Sequence, residues 1–216
     1  MTISWIKFDG ITYPFPAYIN QSEDCRFARD YIPGIGYKGC QTNDLVLNFK
    51  QDISKKGSGS WQYRQWALNV FADELASIFG SNSQSFVTNI PTSKPRTSNQ
   101  YDFRFEDMFQ ALKMKRPNLN IIYPLDVGTV QVASHHGGSR SVSTLSSNLV
   151  FAGLPNPHPD RIILVDDVVT SGSHFRACND FLVSNGFQGQ IIGLFWARTI
   201  NSANSTTSAA DDFQPV

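Results

Sequence analysis

The stretch from Arg161 to His174 narrows the choice of fold more than any other part of this chain. Ile162 to Val165 form an apolar run with the length and β-branching of a strand buried on both faces. Asp166 and Asp167 close the run, Val168 and Val169 follow, and Thr170-Ser171-Gly172-Ser173 makes a turn of small residues. His174 to Asn185 then reads as a helix. A parallel strand whose carboxyl end meets such a turn and a helix N-terminus is where α/β proteins bind phosphorylated ligands. Small residues let backbone N–H groups close around a phosphate, and the hydroxyls of Thr170, Ser171 and Ser173 add donors. The adjacent carboxylates suit the vicinal hydroxyls of a ribose, each accepting charge-assisted hydrogen bonds. An ordinary βα turn with an Asp cap is the plainer alternative, but capping does not account for both carboxylates and the hydroxyl-rich turn together. The segment therefore reads as a holder for a ribose 5-phosphate.

The rest of the chain is consistent with one such domain. Its 216 residues suffice for a single α/β core. Net charge is zero, so no basic field points to nucleic acid. No apolar run approaches membrane-spanning length and the first residues lack a secretory pattern, which together with three widely spaced cysteines predicts a cytoplasmic protein. Residues 1–60, rich in proline and glycine, read as an irregular hood or docking segment, 61–200 as the core, and 201–216 as a disordered polar tail. Within the core, Trp66, Val70, Phe71, Leu75, Ile78 and Phe79 keep a helical stripe before Gly80. Ser85 to Ile90 reads as a strand, Arg104 to Met114 as a helix, and Asn120 to Tyr123 and Thr129 to Ala133 as short extended runs. Val142 to Phe151 reads as helical and Gln190 to Ala197 as a last strand. The fold predicted is α/β: an open, twisted, mostly parallel sheet with helices on both faces.

Two further segments carry chemistry. Thr92-Ser93-Lys94-Pro95-Arg96 follows the strand ending at Ile90, a proline-stiffened cationic loop suited to a second anionic group. His135-His136-Gly137-Gly138-Ser139-Arg140 is a glycine-hinged loop whose Arg140, more than its histidines, could close over a charged ligand. Trp196, near the end of the last strand, is a candidate for stacking on a base, with a place in the core as the bland alternative.

The segment Val165-Asp166-Asp167-Val168-Val169-Thr170-Ser171-Gly172-Ser173-His174 resembles the PRPP-binding motif of type I phosphoribosyltransferases, with Ser171 in place of a Thr and His174 where a hydroxyl is common. Pro91-Thr-Ser-Lys-Pro-Arg96, Tyr101-Asp102-Phe103-Arg104 and Asn148-Leu149-Val150-Phe151 look similar to ComF-like members, over roughly residues 60–200. Their amino-terminal four-cysteine zinc module has no counterpart here. The resemblance implies that Thr170, Ser171, Gly172, Ser173 and His174 hold the 5-phosphate of PRPP, and that Asp166 and Asp167 orient the ribose and hold Mg²⁺ through water. It also implies that Thr92, Ser93, Lys94 and Arg96, with Arg140, meet the pyrophosphate. Thr170 stands where 6-oxopurine enzymes carry a proton-transferring Asp, which disfavours that branch. The expected activity is transfer of the phosphoribosyl group to a nitrogenous base with release of pyrophosphate. The alternative is a non-catalytic PRPP- or nucleoside 5-phosphate-binding regulator or effector, working with a protein partner or as a homo-oligomer.

Overall fold

In the computed structural model, which describes residues 3–37, 39–130 and 141–200, the apolar run at Ile162 to Val165 occupies the middle of a six-stranded sheet. That strand, β7 (Arg161–Val169), has parallel neighbours on both sides, β3 (Phe86–Asn89) and β8 (Gln190–Thr199). β8 pairs in parallel with β2 (Asp24–Tyr31), β3 with β4 (Asn120–Ile121), and only β1 (Ile6–Lys7) runs antiparallel, against β2. The sheet order is β1-β2-β8-β7-β3-β4. A separate antiparallel ribbon joins β5 (Leu125–Val127) to β6 (Leu149–Phe151).

Strand alternation divides the apolar residues between two layers. Ile163, Val165, Leu194 and Trp196 face helices α1 (Gln41–Phe49), α2 (Trp61–Ser77) and α3 (Arg104–Lys115) through Phe49, Phe71 and Phe105. Ile162, Leu164 and Phe195 face the opposite side, where α5 (Ser173–Ser184) supplies Phe175, Cys178 and Leu182. The short helix α4 (Val142–Ser147) packs against α5. The predicted architecture of a mostly parallel sheet covered on both faces is thus present. From β7 the chain crosses by α5 to β8, and from β3 it crosses by α3 on the other face to β4. The chain leaves β7 and β3 in opposite directions, which opens a crevice at their carboxyl ends.

Several local expectations change. Residues 1–60 are not irregular throughout: β2 lies inside the sheet, and α1 sends Leu45, Val46 and Phe49 into the core. β2 escapes a reading of periodicity because its sequence, DCRFARDY, is charged. Those charges are neutralised in place, Arg29 by Glu74 and Arg26 by Asp24, while Cys25 and Phe27 are buried. The Val142 to Phe151 segment is helical only to Ser147 and then enters β6, the side chain of Asn148 accepting from Thr129 N–H at 3.0 Å. The short strand placed at Thr129 to Ala133 occurs earlier, at Leu125–Val127, and residues 131–133 lie outside the described residues, as does the 201–216 tail. Among the described residues no helix is long and apolar enough to cross a membrane.

Trp196 is a core residue and not a base platform. It is fully buried, its ring stacks on Phe71 at 4.4 Å with planes 3° apart, and its Nε1 donates to Glu74 Oε2 at 2.6 Å. The alternation of β8 turns it inward, beside Leu194, away from the open end of the sheet. Trp196→Ala should therefore lower unfolding stability by about 3–5 kcal/mol, measured by urea denaturation, since it empties a large packed volume and removes one of the donors to Glu74.

Candidate functional site

The crevice between β7 and β3 is lined by residues that the strand's pleat separates. β7 runs on past Val165 to Val169, so Asp166 and Asp167 lie within it and point to opposite faces of the sheet. Asp167 continues the Ile163–Val165 side and is 4% exposed. Its Oδ1 meets Lys50 Nζ at 2.8 Å and its Oδ2 meets Arg104 NH2 at 3.3 Å. Arg104 NH1 reaches Asp102 Oδ2 at 3.0 Å, and Asp102 also pairs with the buried Arg64, which donates to Gln51 O at 2.6 Å. Arg64, Asp102, Arg104, Asp167 and Lys50 thus form a chain of alternating sign running from the core to the crevice.

Asp166 lies on the α5 side, half-buried, and its Oδ1 accepts from the backbone N–H of Asp167 at 2.9 Å. Burial first, and then the neighbouring charge of Asp167, push its carboxyl up to about 7. Burial acts on Asp167 in the same sense, but Lys50 and Arg104 outweigh it and hold that carboxyl below the ordinary carboxylate value. The two adjacent carboxylates therefore differ in protonation near neutrality. Asp166 has an oxygen to offer a ligand, whereas both oxygens of Asp167 are engaged by cations.

The turn after β7 is positioned by glycine and by the amino-terminal segment. Gly172 is the N-cap of α5 with φ of +79°, a left-handed conformation that side chains resist. A Cβ there would lie 2.8 Å from Ile19 Cγ1, and Tyr18 N–H donates to Ser171 O at 2.9 Å, so residues 16–19 pack onto the turn. The Gly172 N-cap has no side chain to cap α5, and of the first N–H groups that of Ser173 leans on Ser171 Oγ at 3.4 Å, a long contact that an incoming anion could replace. Ser171 Oγ and Ser173 Oγ are 3.2 Å apart, and Thr170 Oγ1 lies 2.8 Å from Thr199 Oγ1. His174 and Ser93 line one small apolar recess with Ile90, Pro91 and Cys178, so the loop after β3 and the start of α5 do meet.

The cationic loop is less available than its sequence suggests. Arg96 turns inward: Nε meets Glu106 Oε1 at 3.1 Å, NH2 reaches Asn89 Oδ1 at 3.4 Å, and the guanidinium covers Tyr123 at 4.1 Å. Its charge is already balanced, and Tyr101 donates to the same Glu106 oxygen at 2.7 Å. Arg96 ties the loop to α3 and is not presented to an anion. Lys94 is bonded through Nζ to Gln100 Oε1 at 3.0 Å, and Thr92 Oγ1 faces Lys94 O at 3.4 Å. His135, His136 and Arg140 lie outside the described residues.

For Mg²⁺, the described residues contain no cluster of three or more His, Cys, Asp or Glu side chains. Asp167, facing two cations, does not fit the role of metal ligand. Asp166 does fit, as a lone carboxylate beside a metal carried by the phosphates of a ligand.

No protein-family profile matches the chain. No curated protein sequence matches it either. Among solved structures, a hypoxanthine phosphoribosyltransferase from Staphylococcus aureus is similar to it at 12% identity and a TM-score of 0.35, over 62% of this chain and 71% of that one. An overlap that loose carries no argument about ligand or reaction.

Two expectations follow from the charged chain. Asp102→Ala should destabilise the fold by about 3–5 kcal/mol in chemical denaturation, because buried Arg64 and Arg104 lose their shared counter-ion. The second concerns pH. The folded value of Asp166 is raised, so ionising it costs the native state increasingly as pH climbs from the ordinary 3.8 toward about 7. Asp166→Asn should hence match the wild type at pH 4 and exceed its stability by up to about 4 kcal/mol at pH 8, read from denaturation midpoints across that range.

Proposed function

We propose that the chain binds PRPP, or a ribose 5-phosphate unit within it, in the β7–β3 crevice and acts as a phosphoribosyltransferase. The observation that carries this reading is the joining, on one side of the sheet, of the glycine turn opening α5 with the carboxylate of Asp166. A phosphate at the turn accepts from the α5 N–H groups and the hydroxyls of Ser171, Ser173 and Thr170. Asp166, ionised when it accepts, orients the ribose hydroxyls. His174 borders the recess beside Ser93, toward the loop after β3.

The chemistry expected of such a site is displacement of pyrophosphate from C1 of the ribose by a nitrogen nucleophile. The C1–O bond to pyrophosphate breaks, the C1–N bond forms, and the ring passes through an oxocarbenium-like state. Protein groups contribute by holding the ring and by balancing the departing negative charge. Mg²⁺ bound to the phosphates would supply further charge neutralisation, with Asp166 as the protein carboxylate beside it.

A second reading, a PRPP- or nucleotide-binding regulator without turnover, is favoured by two corrections. Trp196 lies in the core and Arg96 is neutralised, so neither of these two side chains is placed to serve catalysis. Calorimetric titration of Mg²⁺–PRPP tests the shared premise: the wild type should bind in the micromolar range and Asp166→Asn at least ~10-fold more weakly, a loss of about 1.4 kcal/mol. A folded wild type that binds no PRPP would overturn both readings. Pyrophosphate release across a panel of bases separates them, since only an enzyme releases it.

A further inference from the structure

With Arg96 turned inward, the crevice needs another source of positive charge if a polyanion is to sit there, and the charged chain ends in one. Lys50 closes α1, its side chain is 40% exposed, and its ammonium rests 2.8 Å from Asp167 Oδ1. Arg104 stands on the other oxygen of the same carboxylate with its side chain 18% exposed, and its Nε has no hydrogen-bond partner among the described residues. One buried carboxylate therefore holds an ammonium and a guanidinium side by side near the carboxyl end of β7. The arrangement differs from a plain ion pair in its order. The chain Arg64–Asp102–Arg104–Asp167–Lys50 begins on a buried cation and finishes on a solvent-reachable one.

We propose that Lys50, aligned beside Arg104 by Asp167, binds one end of a diphosphate, and that helix α1 is therefore part of the ligand site. The proposal rests on the phosphoribosyl reading for the identity of the anion, and it names the residues that meet the pyrophosphoryl end. Arg104 spends NH1 on Asp102 and NH2 on Asp167 and so keeps that carboxylate in place when the long stem of Lys50 lets its ammonium turn toward a phosphoryl oxygen without moving α1. Asp167 then acts as a positioning residue. It keeps two like charges adjacent, an arrangement that would otherwise repel, and leaves the ribose to Asp166.

The test uses the full chain and two probes titrated separately by calorimetry, magnesium pyrophosphate and ribose 5-phosphate, into the wild type, Lys50→Met and Lys50→Arg. Lys50→Met should weaken pyrophosphate binding by about 10-fold or more, the value of one charge-assisted contact. Lys50→Arg should restore it to within ~3-fold, and ribose 5-phosphate should bind all three proteins alike. A merely structural Lys50 would lower the thermal midpoint of Lys50→Met and leave pyrophosphate binding unchanged, and that result overturns the proposal. Wild-type protein that binds ribose 5-phosphate but no pyrophosphate overturns it too, while sparing the phosphate turn. Pyrophosphate bound through Lys50 with no ribose 5-phosphate bound sustains the anion site and fails the phosphoribosyl reading. Binding of neither probe by folded protein overturns both.

Discussion

The Asp167 carboxylate, buried between Lys50 and Arg104, is the interaction on which the rest of the crevice depends. A charge that far from water is tolerated only where partners return its lost hydration. Here they come from two helices distant in sequence, α1 and α3, so one carboxylate fastens both to the centre of the sheet. Net stabilisation by such a pair is small, but removing any member leaves a costly uncompensated charge. What the cluster confers is position: it fixes how α1 and α3 approach β7, and with them the α1–α3 side of the crevice.

The same clamp makes the two neighbouring aspartates unequal. The pleat sends Asp166 to the α5 side, where no cation among the described residues is bonded to it, and burial, then the ionised Asp167 next door, raises its proton affinity. A carboxylate that gains or loses its proton near neutrality can accept from a sugar hydroxyl in one state and donate in the other. On the α5 side, the glycine turn and the start of α5 form the end that the proposed function gives to a phosphate. Position along β7 and burial, more than any exotic residue, sort these roles.

Much of the fold was legible in the sequence, and the reasons are local. Ile162 to Val165 could only be a strand covered on both faces, and Gly172 stands where a left-handed turn opens a helix. The helix at α3 carries a clear apolar stripe, and β3 and β8 contain short apolar runs. β2 was hidden because its charges find partners only in the folded sheet, Arg29 with Glu74 above all. The site was less legible. Neither the inward turn of Arg96 toward Glu106 nor the approach of Lys50 to Asp167 leaves a local trace, since each is decided by contacts between separated segments. Arg104 was visible as part of Tyr101-Asp102-Phe103-Arg104, but its service to Asp167 was not. Trp196 looked ambiguous in sequence and was settled by the alternation of β8, which turns it onto Phe71.

The most direct measurement is a ¹³C NMR titration of the aspartate side-chain carboxyl carbons, assigned with Asp166→Asn and Asp167→Asn. The account predicts that the Asp166 signal moves with a midpoint near 7 while that of Asp167 stays ionised to well below the ordinary 3.8. Two carboxyls titrating together in the ordinary range, or Asp167 holding its proton higher than Asp166, would contradict it.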